Sequence, residues 1–142
     1  MKIVFDLETT GLPITPGFMQ YYPPNETKYY DSSRIVQIAY IKLDENNQEI
    51  YRKNKLVKPL DFKITNSTFH GITQEKAMKE GEEMKDILAS LVSDLKDCKV
   101  LIGHNILFDY NILLSECYRL GLVDLIITVT KLNLYCTMKE GK

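Results

Sequence analysis

Asp6 and Glu8 interrupt an apolar opening run, Ile3-Val4-Phe5-Asp6-Leu7-Glu8-Thr9-Thr10-Gly11. The run is rich in β-favouring residues and reads as a buried strand. Side chains alternate across a strand, so Asp6 and Glu8 project to one face and Leu7 to the other. Like charges placed this way repel, and desolvating them is costly. A divalent cation removes both problems, and hard oxygen donors suit Mg²⁺ or Mn²⁺. The plainer alternative is an acidic pair at a strand end in solvent. Another carboxylate, Asp109, falls in the first turn of a helix expected after Gly103-His104-Asn105. An acid there is favoured by the helix dipole, so stabilising the helix start is a sufficient structural role. Strand, glycine and polar residues at a helix start nevertheless form a place where ligand sites collect.

The elements that must hold these residues follow from pattern. At 142 residues with a net charge of −1, the chain is expected to be one domain, 1–142, with no bulk basic signal for nucleic acid. Arg34 to Ile41 and Glu49 to Val57 read as strands joined by a turn at Asn46-Asn47, which with the first strand gives an antiparallel meander. Arg52, Lys53, Lys55 and Lys58 fit a protected edge strand better than a phosphate track. Residues 13–33 form a long connection holding Tyr21, Tyr22, Tyr29 and Tyr30; these rings either stack on bases or pack back onto the domain. Thr73 is a candidate N-cap for a short helix, and His70 a turn or packing residue. Met84, Ile87, Leu88, Leu91, Val92 and Leu95 mark a helix facing the sheet. Val100 to Ile102 reads as a buried strand, followed by a helix ending at Gly121 and a strand around Leu132 to Tyr135. This order is mixed α/β with a parallel portion. Cys98, Cys117 and Cys136 are too widely spaced for a zinc site or disulfide framework, so reduced thiols are expected. The early carboxylates argue against a signal peptide, and no apolar run approaches the roughly 20 residues of a membrane span. A soluble, intracellular protein without membrane contact is expected.

Asp6-Leu7-Glu8-Thr9-Thr10-Gly11 resembles the first motif of the DEDD exonuclease superfamily, whose members include the proofreading epsilon subunit of bacterial DNA polymerase III. Gly103-His104-Asn105 with Phe108-Asp109 resembles the second motif, and Lys58-Pro59 and His70-Gly71-Ile72-Thr73 resemble the family's middle segment. The resemblance runs from Lys2 to about Thr137. It implies an α/β ribonuclease H-like fold, with a three-stranded antiparallel meander and parallel strands in one sheet flanked by helices. It also implies metal-dependent removal of nucleotides from 3′ ends. Asp6, Glu8 and Asp109 would be the catalytic and metal-binding residues, with Mg²⁺ or Mn²⁺, two ions in a complete site. Thr9, through the backbone around it, and Leu12 would hold the terminal nucleotide, and His104, Asn105 and Phe108 would line the same pocket. For those last three, support of the helix start is the rival role.

The family's third motif places a histidine or tyrosine shortly before a fourth carboxylate. After Asp109 this sequence has no histidine, and its one aspartate, Asp124, lies too early. The expectation is a C-terminally incomplete family member, cut short before its last helix and weak or inactive as this chain alone. Alternatives are a non-catalytic module of the same fold that binds nucleic acid or a polymerase partner, and a generic α/β domain with acidic strand ends.

Overall fold

Along β1 (Lys2–Thr9), Ile3, Phe5 and Leu7 are buried while Asp6 is exposed and Val4 and Glu8 are half-buried. The pleat therefore sorts the strand as its sequence pattern predicts. A computed structural model of the chain describes residues 1–18, 20–65 and 70–137. Among the described residues, β1 is the middle strand of a five-stranded sheet. β2 (Ile35–Leu43) pairs antiparallel with β1, and β3 (Glu49–Leu56) antiparallel with β2. Asp44 makes the turn between them, its Oδ1 accepting from the backbone of Asn46 at 2.8 Å and Gln48 at 2.9 Å. On the other side, β4 (Val100–Gly103) runs parallel to β1 and β5 (Asn133–Cys136) parallel to β4. Parallel neighbours need crossovers, and helices supply them here.

Helix α1 (Gln74–Glu80) starts at Thr73, whose Oγ1 accepts from the Lys76 amide at 3.1 Å. Helix α2 (Met84–Leu95) buries Ile87, Leu88, Leu91 and Leu95 in the core. Helix α3 (Ile106–Leu120) ends at Gly121, left-handed at φ 66°. A further helix, α4 (Val123–Thr130), adds to the expected element order. Its β-branched residues favour strand locally, but burying Leu125 and Val129 against the core decides in favour of helix. The Nδ1 of His70 accepts from the Ile72 amide at 3.1 Å. No disulfide joins Cys98, Cys117 and Cys136. Among the described residues, no helix is long and apolar enough to cross a membrane.

The basic residues of edge strand β3 serve protein carboxylates. Lys53 reaches Asp94 at 2.9 Å, Lys55 reaches Glu82 at 2.9 Å and Arg52 pairs with Glu49. The connection from β1 to β2 is folded on itself. Tyr22 and Tyr29 stack at 3.8 Å, Tyr30 is buried, and its hydroxyl donates to the Tyr22 carbonyl at 2.7 Å. Arg119 of α3 ties the connection down, donating to the Thr27 carbonyl at 2.9 Å and to Asp31 at 2.6 Å. Three of the four tyrosines thus pack onto the domain.

A buried ion pair locks α3 to the sheet. Glu116 accepts from the Arg34 guanidinium at 3.0 Å and from the Ile35 amide at 3.1 Å. Arg34 in turn exchanges hydrogen bonds with Thr10, at 2.8 Å through the Thr10 amide and 2.9 Å through its Oγ1. The end of β1 is therefore fixed to the same helix that carries Asp109.

Candidate active site

The site forms where β1 ends and α3 begins. Asp6 lies opposite Ala39 and Glu8 opposite Gln37 on β2, and the register breaks between Glu8 and Thr9. That irregularity releases the chain into a turn in which Thr9 Oγ1 donates to the Gly11 carbonyl at 2.8 Å. From the other side, β4 ends at Gly103. A Cβ there would lie 3.0 Å from the Phe5 carbonyl and 2.8 Å from Ile106 Cδ1, so glycine permits the close approach of α3 to β1. Asn105 makes the bend in left-handed geometry, at φ 54° and ψ 53°.

This geometry turns Asp109 inward. It is buried, and it stands beside the Leu7 backbone in the repulsive field of Asp6 and Glu8. Burial foremost, and then the Asp6 charge, push its pKa up to about 8; the Leu7 backbone opposes this and Glu8 adds to it. Stabilising the helix start does not account for such a placement, because a dipole-favoured acid sits in solvent with its charge preferred. Among the described residues, no group of three or more histidine, cysteine, aspartate or glutamate side chains is arranged to hold a metal ion. The three carboxylates share one field without forming a closed cage. That donor set fits a hard ion bound through one or two carboxylates that keeps water and phosphate oxygens as its other ligands.

Beside the carboxylates lies an open cleft of about 260 Å³, lined among others by Leu12, Pro13, Phe18, Tyr21, Asn105 and Phe108. Of the five residues expected to hold a nucleotide, the fold brings Leu12, Asn105 and Phe108 together here. Thr9 and the exposed His104 stand outside the cleft wall. Tyr21 and Phe18 are additions from the 13–33 connection. Tyr21 was visible in the sequence as one of four tyrosines, but nothing in the pattern separated it from the three that pack inward. The Tyr21 hydroxyl lies near the Asn105 side chain and in the field of Asp109. Burial raises its pKa, so it holds its proton at neutral pH.

The exonuclease family model of RNase T matches residues 3–140. No curated protein matches the chain. Among solved structures, Escherichia coli exonuclease I in complex with a 5cy-dT13 oligonucleotide is similar, with TM-score 0.75 and 20% identity over 99% of this chain and 28% of that one. The same enzyme in complex with a dA16 oligonucleotide gives TM-score 0.68 and 19% identity, over 96% of this chain and 28% of that one. A moderately thermophilic exonuclease I from Methylocaldum szegediense gives TM-score 0.59 and 20% identity, over 78% and 22%. The chain therefore spans less than a third of the length of these relatives. The mixed sheet and its flanking helices are the ribonuclease H-like fold that the motifs led one to expect.

Proposed function

This chain belongs to the RNase T exonuclease family, and from that premise we propose that its site hydrolyses nucleic-acid phosphodiester bonds from 3′ ends with Mg²⁺ or Mn²⁺. The observation that carries the reading is Asp109, buried against Leu7 and repelled by Asp6 and Glu8, at the edge of a cleft wide enough for part of a nucleotide. Three carboxylates in one field are an arrangement a fold keeps for a cation. Asp6 and Asp109 would hold the metal, and Glu8 would be a further ligand that orients the attacking water. When bound, divalent ions supply activation of that water and neutralisation of charge at the leaving oxygen. Leu12, Asn105 and Phe108 would seat the terminal nucleotide, with the backbone around Thr9 and the exposed His104 flanking them. The solved exonuclease I structures that resemble this chain hold oligonucleotides, which supports nucleic acid as the partner.

The test is release of nucleotides from a 3′-labelled single strand with Mn²⁺. Loss of release in Asp6→Asn at unchanged fold supports the reading, and equal release by that variant refutes it. A circular single strand should survive, because it offers no 3′ end; rapid nicking of circles would identify an endonuclease instead. A second reading follows from the carboxylate count. These residues fill three of the four positions the family resemblance implies, and binding of nucleic acid or of a polymerase partner requires no fourth. Single-strand binding with metal but without turnover would select it.

A further inference from the structure

Most of the aromatic side chains in the 13–33 connection are accounted for by packing, and two are not. Phe18 is 93% exposed, yet it borders the cleft that Leu12 and Phe108 line from the motif side. Tyr21 is half-buried and lines the same cleft, with Asn105 among its other lining residues. Asn105 immediately precedes α3, and Phe108 precedes Asp109, so one helix start supplies both the cleft floor and the buried acid. Opposite it, the connection is held by the Arg119 bonds to Thr27 and Asp31 and by the 2.9 Å bond from the Ile14 amide to the Tyr29 carbonyl. The connection is thus tied to α3 on its C-terminal side through Arg119, and its N-terminal side is tied to that part through the Ile14–Tyr29 bond.

We propose that Phe18 and Tyr21 form an aromatic wall on which an unpaired nucleobase stacks, in the cleft they share with Leu12 and Phe108, making the 13–33 connection a base-binding element. The proposal rests on the exonuclease reading for the direction in which the strand lies. The ligand is a base because the cleft is bounded by flat aromatic and apolar surfaces, with the amides of Asn105 and Gln20 able to meet a base edge. Stacking is tolerant of sequence, since every base offers a π face. An exposed phenylalanine beside such a cleft has its ring available to a ligand without first giving up a core contact. The folded state therefore does not depend on Phe18, which makes it a clean position to change.

The test uses a single-stranded oligonucleotide with 2-aminopurine at its 3′ terminus, and the same strand with an abasic 3′ terminus, both bound in Ca²⁺. Wild type is expected to quench the terminal 2-aminopurine and to prefer the base-bearing end. Phe18→Ala and Tyr21→Ala should each bind that end roughly 5- to 100-fold more weakly, the range for losing one stacking aromatic. Neither should change affinity for the abasic end or shift thermal unfolding appreciably. Tyr21→Phe, which keeps the ring and loses the hydroxyl, should retain most of the quenching. If wild type binds the base-bearing end and both alanine variants match it, the wall is wrong while the exonuclease reading stands. If wild type binds neither strand, the exonuclease reading falls and the wall with it. Equal losses on base-bearing and abasic ends would also overturn the wall, because they would mark a general disturbance of the cleft.

Discussion

Burial sets the state of Asp109, and the neighbouring carboxylates add to it. Its pKa of about 8 in the fold lies well above the roughly 3.9 of an unfolded aspartate. Between those values the native state binds a proton that the unfolded state has lost, so without metal, stability falls as pH rises from about 4 through about 8. Thermal unfolding in chelator should show that decline. Asp109→Asn should flatten it and raise stability at pH 8, on the order of a few kcal/mol. A decline of equal depth in the variant would place its origin elsewhere. A divalent ion acts in the opposite direction. On the proposed metal-binding reading it would bind the deprotonated site, relieve the repulsion among Asp6, Glu8 and Asp109, and release a proton. Millimolar Mn²⁺ should therefore raise the unfolding temperature, more at pH 8 than at pH 6, and Asp6→Asn should abolish the shift. Identical unfolding in chelator and in Mn²⁺ would count against any metal site. The sequence showed this cluster because strand alternation and a motif fix Asp6, Glu8 and Asp109 locally. It did not show the state of Asp109, which depends on Gly103 letting α3 close onto β1.

Elements position that cluster through Arg34 and Glu116, which no local pattern reveals because they lie 82 residues apart. Glu116 is 1% exposed on a helix whose neighbouring residues are mostly apolar, and it holds both the Arg34 guanidinium and the Ile35 amide. Removing Glu116 leaves the buried Arg34 guanidinium with the exposed Asp61, 3.2 Å away, as its remaining carboxylate partner. Glu116→Ala should cost about 3–5 kcal/mol in urea unfolding, and the double change with Arg34→Ala less than the sum. Additive losses would mean that the pair acts through separate contacts. The same long-range logic explains what the sequence left unassigned. Residues 123–130 carry β-branched side chains, and burial of Leu125 and Val129 in the core accompanies their helix. The 13–33 connection was readable as long and aromatic, with packing onto the domain as one of two readings; which rings pack, Tyr30 buried and Tyr22 stacked on Tyr29, depends on the fold. Deleting it would open the core at Tyr30, so changes at its exposed residues are the better probe of substrate choice.

For the whole molecule, the question is how much catalysis these 142 residues support by themselves. They place Asp6, Glu8 and Asp109 in one field, but neither histidine of the chain is offered as a base. The Nδ1 of His70 accepts from the Ile72 amide, and His104 is exposed outside the cleft. A positioned general base typically contributes about 10²–10⁴-fold, and a two-ion clamp depends on ligands for both ions. Losses within one catalytic unit do not multiply, so the factors are not compounded. The expected outcome is binding of single-stranded 3′ ends with slow release of nucleotides, far below the roughly 1–10³ per second of ordinary enzymes. The measurement is a single-turnover time course with Mn²⁺ on a labelled strand, with Asp109→Asn as the control for contaminating nuclease. If release is fast in the unaltered chain and absent in the variant, water oriented by Glu8 suffices without a histidine base. The Tyr21 hydroxyl, near Asn105 and in the field of Asp109, would then be the next group to change.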